Sequence, residues 1–364
     1  MRKGRGTSVS HRVRFEPVGI DIEVEEDETV LEAAFRQGIS LAHGCKEGQC
    51  SSCKALLLEG DATMVRYSTF ALPDYEKEEG YALLCRAYPM EDLVVDLLHY
   101  DEATLHMTSP IRTYEARVEE IEPLTHDISR LALHLIEPRE IAFRAGQYVD
   151  MRIPGATASR SFSMANTPSH MDRLEFIIKI YPGGLFSGYL QERMRVGDKL
   201  EVIGPYGKFG LRETAAEAIF IGGGSGMAPL WAMLHDMVEQ RIRRKVTFFY
   251  GARTRRDLFY VDELHALSSR LTDFRFIPAL SEPLPEDAWQ GETGLITDVV
   301  DRHVTREQAQ GTREGGRLEA YLCGPPPMID AAMVMLQRKG IPEDRIYYDK
   351  FTAATSELTS HLMS

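Results

Sequence analysis

Four cysteines constrain what this chain can fold into more than any other feature. Cys45, Cys50 and Cys53 follow one another at a C-x4-C-x2-C spacing, and Cys85 comes after them in a short apolar stretch. Four thiolates at this spacing are typical ligands of a [2Fe–2S] cluster. One glycine precedes Cys45 and another lies between Cys45 and Cys50, and glycine lets a loop wind tightly around a compact group. The pattern therefore predicts a one-electron centre held by these four cysteines.

Two other uses of the cysteines stay open at this point. Disulfide bonds would require an oxidising compartment, and the basic N-terminus leads into no apolar signal region. A structural zinc site would favour a C-x2-C pair on each side of the metal, whereas only Cys50 and Cys53 form such a pair. The fifth cysteine, Cys323, belongs to a separate motif near the C-terminus.

Charge is distributed unevenly along the 364 residues. The formal net charge of −13 argues against nucleic acid as a partner. Residues 1–103 carry 11 Lys and Arg against 20 Asp and Glu, a charge of −9, which leaves −4 for the remaining 261 residues. We expect the cysteine-bearing part to present an acidic face to a basic docking surface on a partner, although acidic surfaces also serve solubility alone.

Length and hydropathy set the general class of the protein. Hydrophobic residues make up 43% of the chain, enough for the cores of two or three domains of the usual size. No stretch approaches the ~20 apolar residues that cross a bilayer, so no membrane association is expected. The sequence predicts a cytoplasmic protein, and we expect a monomer.

Residues 1–103 show strand and helix signals around the cysteines. Apolar and polar residues alternate at 13–15 and again at 20–24, which predicts a hairpin of two strands. Thr29 and Glu32 have the spacing of a capping box. They predict the start of a short apolar helix.

The order of these elements indicates a fold. Residues 93–97 predict a strand that closes the sheet, and residues 76–79 predict a solvated turn. Strand, strand, helix, cysteine loop and closing strand in this order are typical of a β-grasp ferredoxin domain. Residues 101–109 lack periodicity and predict a linker.

The rest of the chain divides into an all-β part and an α/β part. Short alternating strands separated by Gly and Pro predict an antiparallel Greek-key β-barrel over residues 110–213. Buried strands alternate with helices over residues 214–364, which predicts a doubly wound parallel sheet. Residues 303–317 predict a polar surface loop. The predicted helices span 227–238, 262–271 and 326–339.

Two motifs in the barrel region have the chemistry of a dinucleotide site. In Arg160-Ser161-Phe162-Ser163, the arginine could neutralise a diphosphate, the aromatic ring could cover a flat ring system and a hydroxyl could reach a ring nitrogen. Tyr181-Pro182-Gly183-Gly184-Leu185-Phe186-Ser187 places paired glycines and a serine at the start of a short helix, where N–H groups attract anions. Taken alone, the first motif also fits ordinary strand residues and the second an ordinary glycine turn.

Two further motifs lie at the carboxyl edge of the predicted parallel sheet, where such folds bind ligands. Gly222-Gly223-Gly224-Ser225-Gly226 follows a buried strand and precedes a helix, as a nucleotide-binding loop requires. Cys323-Gly324-Pro325 ends a later strand, and its glycine lets a ligand approach the backbone. The thiol of Cys323 is either a small buried hydrophobe or part of a nicotinamide pocket.

In this order, the motifs resemble those of the ferredoxin–NADP reductase superfamily with a plant-type ferredoxin at the N-terminus. The resemblance covers nearly the whole chain and is sharpened by Tyr347-Tyr348-Asp349-Lys350-Phe351. More closely, the chain is similar to the reductase components of soluble di-iron monooxygenases, such as methane and propane monooxygenases. The resemblance implies FAD in the barrel, NADH in the α/β domain and the [2Fe–2S] cluster in the N-terminal domain.

The resemblance also implies roles for individual residues. Ser163 would face flavin N5 and Phe351 would lie beside the flavin ring, which makes these two the catalytic candidates. The residues implied to bind FAD are Arg160, Ser161, Phe162, Ser163, Gly183, Gly184, Phe186, Ser187 and Phe351. Those implied to bind NADH are Gly222, Gly223, Gly224, Ser225, Gly226, Cys323, Gly324 and Pro325.

The chain departs from the family pattern at two positions. The family more often has Tyr where Phe162 stands, so a hydroxyl contact to FAD is missing here. It often has Glu where Asp349 stands, which puts the role of this shorter side chain in doubt. Arg253, Arg255 and Arg256 follow the second strand of the α/β part and could bind a 2′-phosphate, which leaves NADPH open beside NADH.

The implied function is electron transfer from NADH to FAD, to the [2Fe–2S] cluster and on to a di-iron hydroxylase. A flavin can connect a hydride donor to a one-electron acceptor because it is stable with two, one or no added electrons. The eleven histidines show no ligand cluster, so no catalytic histidine is assigned. Two rivals remain: the reductase of a Rieske aromatic-ring dioxygenase, which shares the domain order, and a non-enzymatic NAD-binding protein with a zinc-stabilised module.

Overall fold

The computed structural model describes residues 10–44, 46–100, 105, 109–156, 158–310 and 318–351. The chain forms two compact units, Met1–Arg112 and Thr113–Ser364. Among the described helices, none has both the length and the apolar character needed to cross a bilayer.

The first unit contains a five-stranded mixed sheet, a small two-stranded sheet and two short helices. Its elements are β1 Ser10–Glu16, β2 Ile20–Glu25, α1 Val30–Arg36, β3 Lys54–Glu59, β4 Ala62–Met64, α2 Asp74–Glu78, β5 Tyr81–Leu83, β6 Ala87–Pro89 and β7 Leu93–Asp96. The large sheet has the order β2-β1-β7-β3-β5, and β4 pairs with β6. The strands that come first and last along the chain, β1 and β7, pair in parallel at the centre of the sheet, and the other pairs are antiparallel. This arrangement confirms the predicted β-grasp fold.

The structure contains the predicted hairpin and the predicted capping box at the start of α1. Val13 and Phe15 of β1, and Ile22 and Val24 of β2, are buried, whereas most residues between them are partly or fully exposed. The N-terminus of α1 is closed by the predicted capping box, in which the Glu32 N–H donates to Thr29 Oγ1 at 3.2 Å. The other half of the box is a bond from the Thr29 N–H to the Glu32 carboxylate at 2.8 Å.

The predicted turn at residues 76–79 is wrong. Those residues belong to the end of α2 and its C-cap. Pro73 begins the segment in an extended conformation at the N-cap, and the Glu and Lys residues that follow are good helix formers. An ion pair between Glu76 and Lys54 then fastens α2 to the strand that follows the cysteines.

The second unit begins with an antiparallel six-stranded sheet that curves into the predicted barrel. Its strands are β8 Arg112–Pro123, β9 Ile128–Glu137, β10 Tyr148–Arg152, β11 Ser159–Ser163, β12 Arg173–Lys179 and β13 Lys199–Tyr206, in the order β11-β10-β13-β8-β9-β12. A short helix, α3 Leu185–Gly188, and a π-helical turn, Tyr189–Arg193, lie between β12 and β13. The barrel core is filled by aliphatic side chains and by the aromatic side chains of Tyr114, Phe143, Phe176, Phe186 and Tyr189.

A six-stranded parallel sheet follows, with helices on both faces. Its strands are β14 Ala218–Gly223, β15 Val246–Ala252, β16 Phe274–Leu280, β17 Glu292–Thr293, β18 Glu319–Gly324 and β19 Ile346–Lys350, in the order β17-β16-β15-β14-β18-β19. Its helices are α4 Met227–Glu239, α5 Val261–Leu267, α6 Ile296–His303, α7 Arg306–Gln310 and α8 Pro326–Lys339. Separate apolar clusters on the two faces confirm the predicted doubly wound architecture.

Two predictions for the parallel-sheet region are wrong, one for the end of a helix and one for a loop. The helix predicted to reach residue 271 ends at Leu267, where Ser269 Oγ donates to the Ala266 carbonyl at 2.7 Å and so competes with helical hydrogen bonding. The loop predicted over residues 303–317 instead begins with the end of α6 and the short helix α7. Residues 311–317 of that predicted loop lie outside the described residues.

The barrel and the parallel sheet share one apolar core. Ala145 and Ile177 of the barrel region belong to the same buried cluster as Met233 of α4. At the edge of this core, the hydroxyl of Thr167 donates to Glu239 at 2.9 Å. The predicted boundary between residues 213 and 214 lies within this unit and stays a prediction, as do the other predicted domain limits.

Candidate functional site

The described cysteines of the first unit lie on two segments that meet at the start of β3. Cys53 and Cys85 are buried, and their sulfurs are 3.2 Å apart. Cys50 is half-buried, and its sulfur is 3.4 Å from Ser52 Oγ. Among the described cysteines no disulfide forms, and Cys45 lies outside the described residues. A hydrogen bond with Cys85 lowers the pKa of the Cys53 thiol against the opposing effect of burial, which favours the thiolate form that binds metals.

The cysteine loop is shaped for close backbone approach, and this geometry fits an inorganic cluster. A Cβ atom on Gly44 would lie 3.0 Å from Cys50 Sγ. Gly48 has a φ of +70°, and a Cβ atom there would lie 2.8 Å from Tyr67 Cβ and 2.9 Å from Arg86 Cγ. A larger residue at Gly44 would crowd the sulfur of Cys50, and one at Gly48 would clash with Tyr67 and Arg86.

The second unit brings the Arg160-to-Ser163 strand, β11, to the edge of the barrel. Phe162 packs its ring 4.6 Å from Phe186, and Arg160 is half-buried on the same face of the strand. Ser161 and Ser163 point the other way, where Ser161 Oγ donates to Asp150 at 2.6 Å. The alternation of a strand therefore divides the motif into two pairs.

The paired glycines after β12 form a tight turn. Gly183 has a φ of +74°, and Gly184 is the N-cap of α3. Ser187 is buried, and its hydroxyl accepts a hydrogen bond from the Tyr181 N–H at 3.0 Å. Phe186 is also buried and is a barrel core residue, so its side chain stabilises the turn from within.

The glycine loop after β14 lies against the Cys323–Pro325 turn at the carboxyl edge of the parallel sheet. Gly224, Ser225 and Gly226 form one 3-10 turn between β14 and α4. A Cβ atom on Gly226 would lie 2.3 Å from the Cys323 carbonyl oxygen and 2.7 Å from Gly324 Cα. Only glycine allows the two loops to approach this closely.

One row of residues crosses the carboxyl edge of the sheet. Gly222 is in register with Cys323 on β18, and Cys323 is in register with Asp349 on β19. Cys323 is fully buried, and burial raises the pKa of its thiol well above the ordinary value. Phe351 follows, and its N–H donates to the Gly324 carbonyl at 3.1 Å.

Asp349 connects this row to the barrel. The Ser163 hydroxyl donates to Asp349 Oδ2 at 3.2 Å. The residue keeps some accessible surface, but its carboxyl group is surrounded by protein, and this burial raises its pKa to about 6 against the lowering effect of the Ser163 bond. The barrel motif and the nucleotide-loop motifs therefore meet at one place, as a transfer site between two bound groups requires.

Comparison with protein families finds three matching models in succession. A 2Fe-2S iron-sulfur cluster binding domain matches residues 13–90, an oxidoreductase FAD-binding domain matches residues 115–210 and an oxidoreductase NAD-binding domain matches residues 220–333. Together the three models account for most of the chain.

Known proteins match over nearly their whole length. The chain is 51% identical to the reductase component of propane 2-monooxygenase from Rhodococcus jostii, over 95% of this chain and 93% of that protein. The chain belongs to the reductase components of multicomponent monooxygenases. This reductase is also 37% identical to the reductase component of phenol 2-monooxygenase from a Pseudomonas strain, over 95% of this chain and 96% of the relative.

A solved structure shows the same architecture. The crystal structure of an Amycolatopsis cytochrome P450 reductase superposes with a TM-score of 0.84 at 30% identity, and the match covers 95% of the reductase and 100% of that chain. The reductase binds a [2Fe–2S] cluster, FAD and NADH, and it transfers electrons to a hydroxylase. The predicted cofactors are confirmed, and the zinc alternative is set aside.

Sequence reasoning missed one contact that builds the site. Asp349 was noted for its length but not for its bond to Ser163, which joins residues 186 positions apart. Long-range contacts of this kind leave no local pattern in the sequence, although the short Asp in place of the usual Glu was a signal.

Proposed function

We propose that the reductase serves a hydroxylase that oxidises a short alkane of the propane class. The observation that carries this proposal is the difference between 51% identity to a propane 2-monooxygenase reductase and 37% to a phenol 2-monooxygenase reductase. A reductase docks to its hydroxylase through its surface, so relatives that share a partner should diverge less than those that do not.

The test is reconstitution with separate hydroxylases. Purified reductase is mixed with a propane hydroxylase or a phenol hydroxylase, each with its remaining components, and product formed per NADH consumed is measured. We expect tight coupling of NADH oxidation to alcohol formation with the propane system and mostly uncoupled NADH oxidation with the phenol system. Equal coupling with both, or better coupling with phenol, would contradict the proposal.

For the cluster we propose the four cysteines as ligands. Cys53 and Cys85 are suited to one iron because their sulfurs lie side by side, and Cys45 and Cys50 would complete the set. The bound cluster supplies one-electron chemistry. The protein restricts access to it by burying two of the sulfur ligands and shaping the loop with glycines.

For FAD we propose that Arg160 and the turn at Gly183 and Gly184 hold the diphosphate, with Ser161 and Ser187 supporting the strand and the turn. Phe162 is half-buried, and the part of its ring that does not contact Phe186 would cover the flavin. When bound, FAD accepts a hydride and releases electrons one at a time.

At the flavin ring, Ser163 and Phe351 are the proposed catalytic residues. Ser163 would orient its hydroxyl toward N5, and it currently donates to Asp349. That bond fixes the serine rotamer. Phe351 is half-buried at the end of β19, where an aromatic ring could cover the flavin until the nicotinamide replaces it.

For NADH we propose the loop Gly222–Gly226 and the turn Cys323–Pro325. A preference for NADH over NADPH is supported by the contacts that two of the three candidate arginines make within the chain. The Arg255 guanidinium donates to the main-chain carbonyl of Asp287 at 3.0 Å, and Arg253 lies 3.9 Å from the Asp257 carboxylate. We expect kcat/KM for NADH to exceed that for NADPH by at least tenfold, and a ratio near one would contradict this assignment.

The proposal also covers the location of the protein, its oligomeric state and the surface of its partner. We propose that it acts in the cytoplasm as a monomer and meets a basic docking surface on the hydroxylase. The acidic balance of residues 1–103, 20 Asp and Glu against 11 Lys and Arg, supports the sign of that surface. Light scattering at micromolar concentration should give a mass close to 41.1 kDa.

A further inference from the structure

Phe70 is the most exposed large hydrophobic side chain among the described residues, with 94% of its surface accessible. A single exposed apolar residue needs no explanation by itself. The surroundings of Phe70 give it significance, because its neighbours Ala71 and Leu72 are fully buried. The chain is therefore anchored in the core directly after the point where it turns a phenyl ring outward.

The segment that carries Phe70 is fastened to the cysteine loop. Ser51 Oγ donates to the Ala71 carbonyl at 3.1 Å, and the Ser68 N–H donates to the Gly48 carbonyl at 2.9 Å. Ser51 follows the cluster cysteine Cys50 directly and is exposed. Phe70 thus lies on the surface next to the loop from which electrons would leave.

The backbone at Phe70 is held in a local turn before any partner arrives. The Phe70 N–H donates to Ser68 Oγ at 3.2 Å, in a turn of the kind that serine side chains stabilise. A backbone that is already ordered loses less conformational entropy on docking. Aromatic residues that are buried on docking are enriched among those that dominate binding energy.

An acidic rim accompanies this anchor. The helix α2 begins four residues later and has no buried residue. Its Tyr75 is 63% exposed, and Asp74, Glu78 and Glu79 are exposed carboxylates. Glu76 is paired with Lys54, so the charge that α2 offers to a partner is mainly negative.

We propose that Phe70 and Tyr75, with the carboxylates Asp74, Glu78 and Glu79, form the surface that docks to the hydroxylase. This inference rests on the proposed function. The partner it fits presents an apolar pocket for the Phe70 ring, rimmed by Lys and Arg. An apolar centre with a polar charged rim is the usual anatomy of a transient interface, and opposite charges accelerate encounter.

The test compares Phe70→Ala with Met90→Ala as a matched control. Met90 is an exposed apolar residue of the same unit, 62% accessible, and its N–H bonds to the Asp61 carbonyl rather than to the cysteine loop. Iron content and thermal midpoint establish that both variants fold. Three rates are then measured: NADH-driven bleaching of flavin and cluster, reduction of cytochrome c as a basic one-electron acceptor, and NADH oxidation against hydroxylase concentration.

For Phe70→Ala we expect the KM for hydroxylase to rise at least tenfold and cytochrome c reduction to slow at least fivefold. Bleaching of flavin and cluster should stay within twofold of wild type, and Met90→Ala should match wild type throughout. The combined variant Asp74→Asn, Glu78→Gln and Glu79→Gln should weaken the dependence of both acceptor rates on ionic strength.

Three results would overturn the inference. Phe70→Ala could behave like Met90→Ala with both acceptors, it could slow the bleaching of the cluster by NADH, or it could lower the mass of a self-associated species. Slower bleaching would mean that Phe70 serves electron transfer from the flavin to the cluster. A lower mass would mean that Phe70 contacts another copy of the chain. If wild type reduces cytochrome c but couples to no hydroxylase, the propane assignment fails, and the cytochrome c comparison still decides the role of Phe70.

Discussion

At the residue scale, the hydrogen bond from Ser163 to Asp349 is one of the contacts that join the barrel to the parallel sheet. Strand register places Asp349 beside Cys323, so a titrating carboxyl group, a hydroxyl and a thiol converge where flavin and nicotinamide are proposed to bind. Groups with shifted pKa values concentrate at functional sites. The short side chain of Asp349 reaches Ser163 without the extra methylene that Glu would bring.

The raised pKa of Asp349 predicts how stability depends on pH. Because the folded protein holds this proton more tightly than the unfolded chain, its stabilising effect is complete below pH 3.8 and is lost as pH rises through about 6. Asp349→Asn removes that loss. We expect its advantage over wild type in urea unfolding, with FAD present, to grow by about 1 kcal/mol between pH 5 and pH 7.

The control for this experiment is Asp330→Asn, which removes an exposed carboxylate that pairs with Lys350. Its unfolding free energy should stay parallel to that of wild type over the same pH range. A constant offset between Asp349→Asn and wild type would show that burial does not raise the pKa of Asp349.

The cluster cysteines give a second prediction at this scale. Cys50→Ala removes a proposed ligand of the [2Fe–2S] cluster, so we expect loss of iron and of cytochrome c reduction, while NADH still reduces the flavin at close to the wild-type rate. Cys323→Ala is the matched control, since it removes a buried thiol that we place at the nicotinamide site, and it should keep its iron. Full cytochrome c activity in Cys50→Ala would place the cluster outside the electron path.

At the scale of the element, the connector between β13 and β14 is held by a buried ion pair. Arg244 and Glu319 have side chains only 1% and 4% exposed, and their charged groups lie 2.6 Å apart. Arg244 also donates to the carbonyls of Ala216 and Arg212. Burial alone would raise the pKa of Glu319, but bonds from Tyr321, Arg244 and Thr214 outweigh it and lower that pKa.

Breaking this pair should be costly. Arg244→Met leaves a buried carboxylate without its cationic partner, and we expect a loss of about 3–5 kcal/mol in the free energy of unfolding. Lys199→Met breaks the exposed pair with Glu115 and should cost less than about 1 kcal/mol. The double variant Arg244→Met with Glu319→Gln should recover part of the loss, and similar losses in Arg244→Met and Lys199→Met would contradict the role of this pair.

The contact between the two loops at the sheet edge gives a prediction of another kind. Gly226→Ala places a methyl group against the Cys323 carbonyl, which forces the nucleotide loop to move. We expect the KM for NADH to rise at least tenfold. Gly188→Ala, at a helical φ of −62° with open space around it, should leave the KM unchanged and should not lower the thermal midpoint. Equal KM values for the two variants would contradict the close approach.

Local sequence patterns predicted which helices and strands form better than they predicted where those elements end. The capping box at Thr29 and the glycine loop after β14 were predictable because each is a contact between residues close in sequence. The helix α2 was hidden in a charged run that also fits a turn, and α5 ended early where a serine competed for hydrogen bonds. The meeting of Ser163 with Asp349 depends on two domains packing together, which no periodicity encodes.

At the scale of the whole molecule, the chain separates two kinds of electron chemistry. The second unit contains the sites proposed for hydride donor and flavin, which exchange electrons in pairs, whereas the first unit contains the cysteines of a one-electron centre. The acidic balance also belongs to the first unit. The surface offered to a partner and the centre that gives up single electrons are therefore parts of the same unit.

Electron counting turns this organisation into a measurable quantity. One FAD takes two electrons and one [2Fe–2S] cluster takes one. Since each NADH supplies two electrons, full reduction should consume about 1.5 NADH per chain.

The most direct test is an anaerobic titration of the purified holoprotein with NADH, followed by absorbance and by low-temperature electron paramagnetic resonance. The account predicts that bleaching ends at about 1.5 NADH per chain, with the spectrum of a reduced [2Fe–2S] cluster at one spin per chain. An endpoint at one NADH per chain with the cluster still oxidised would contradict it.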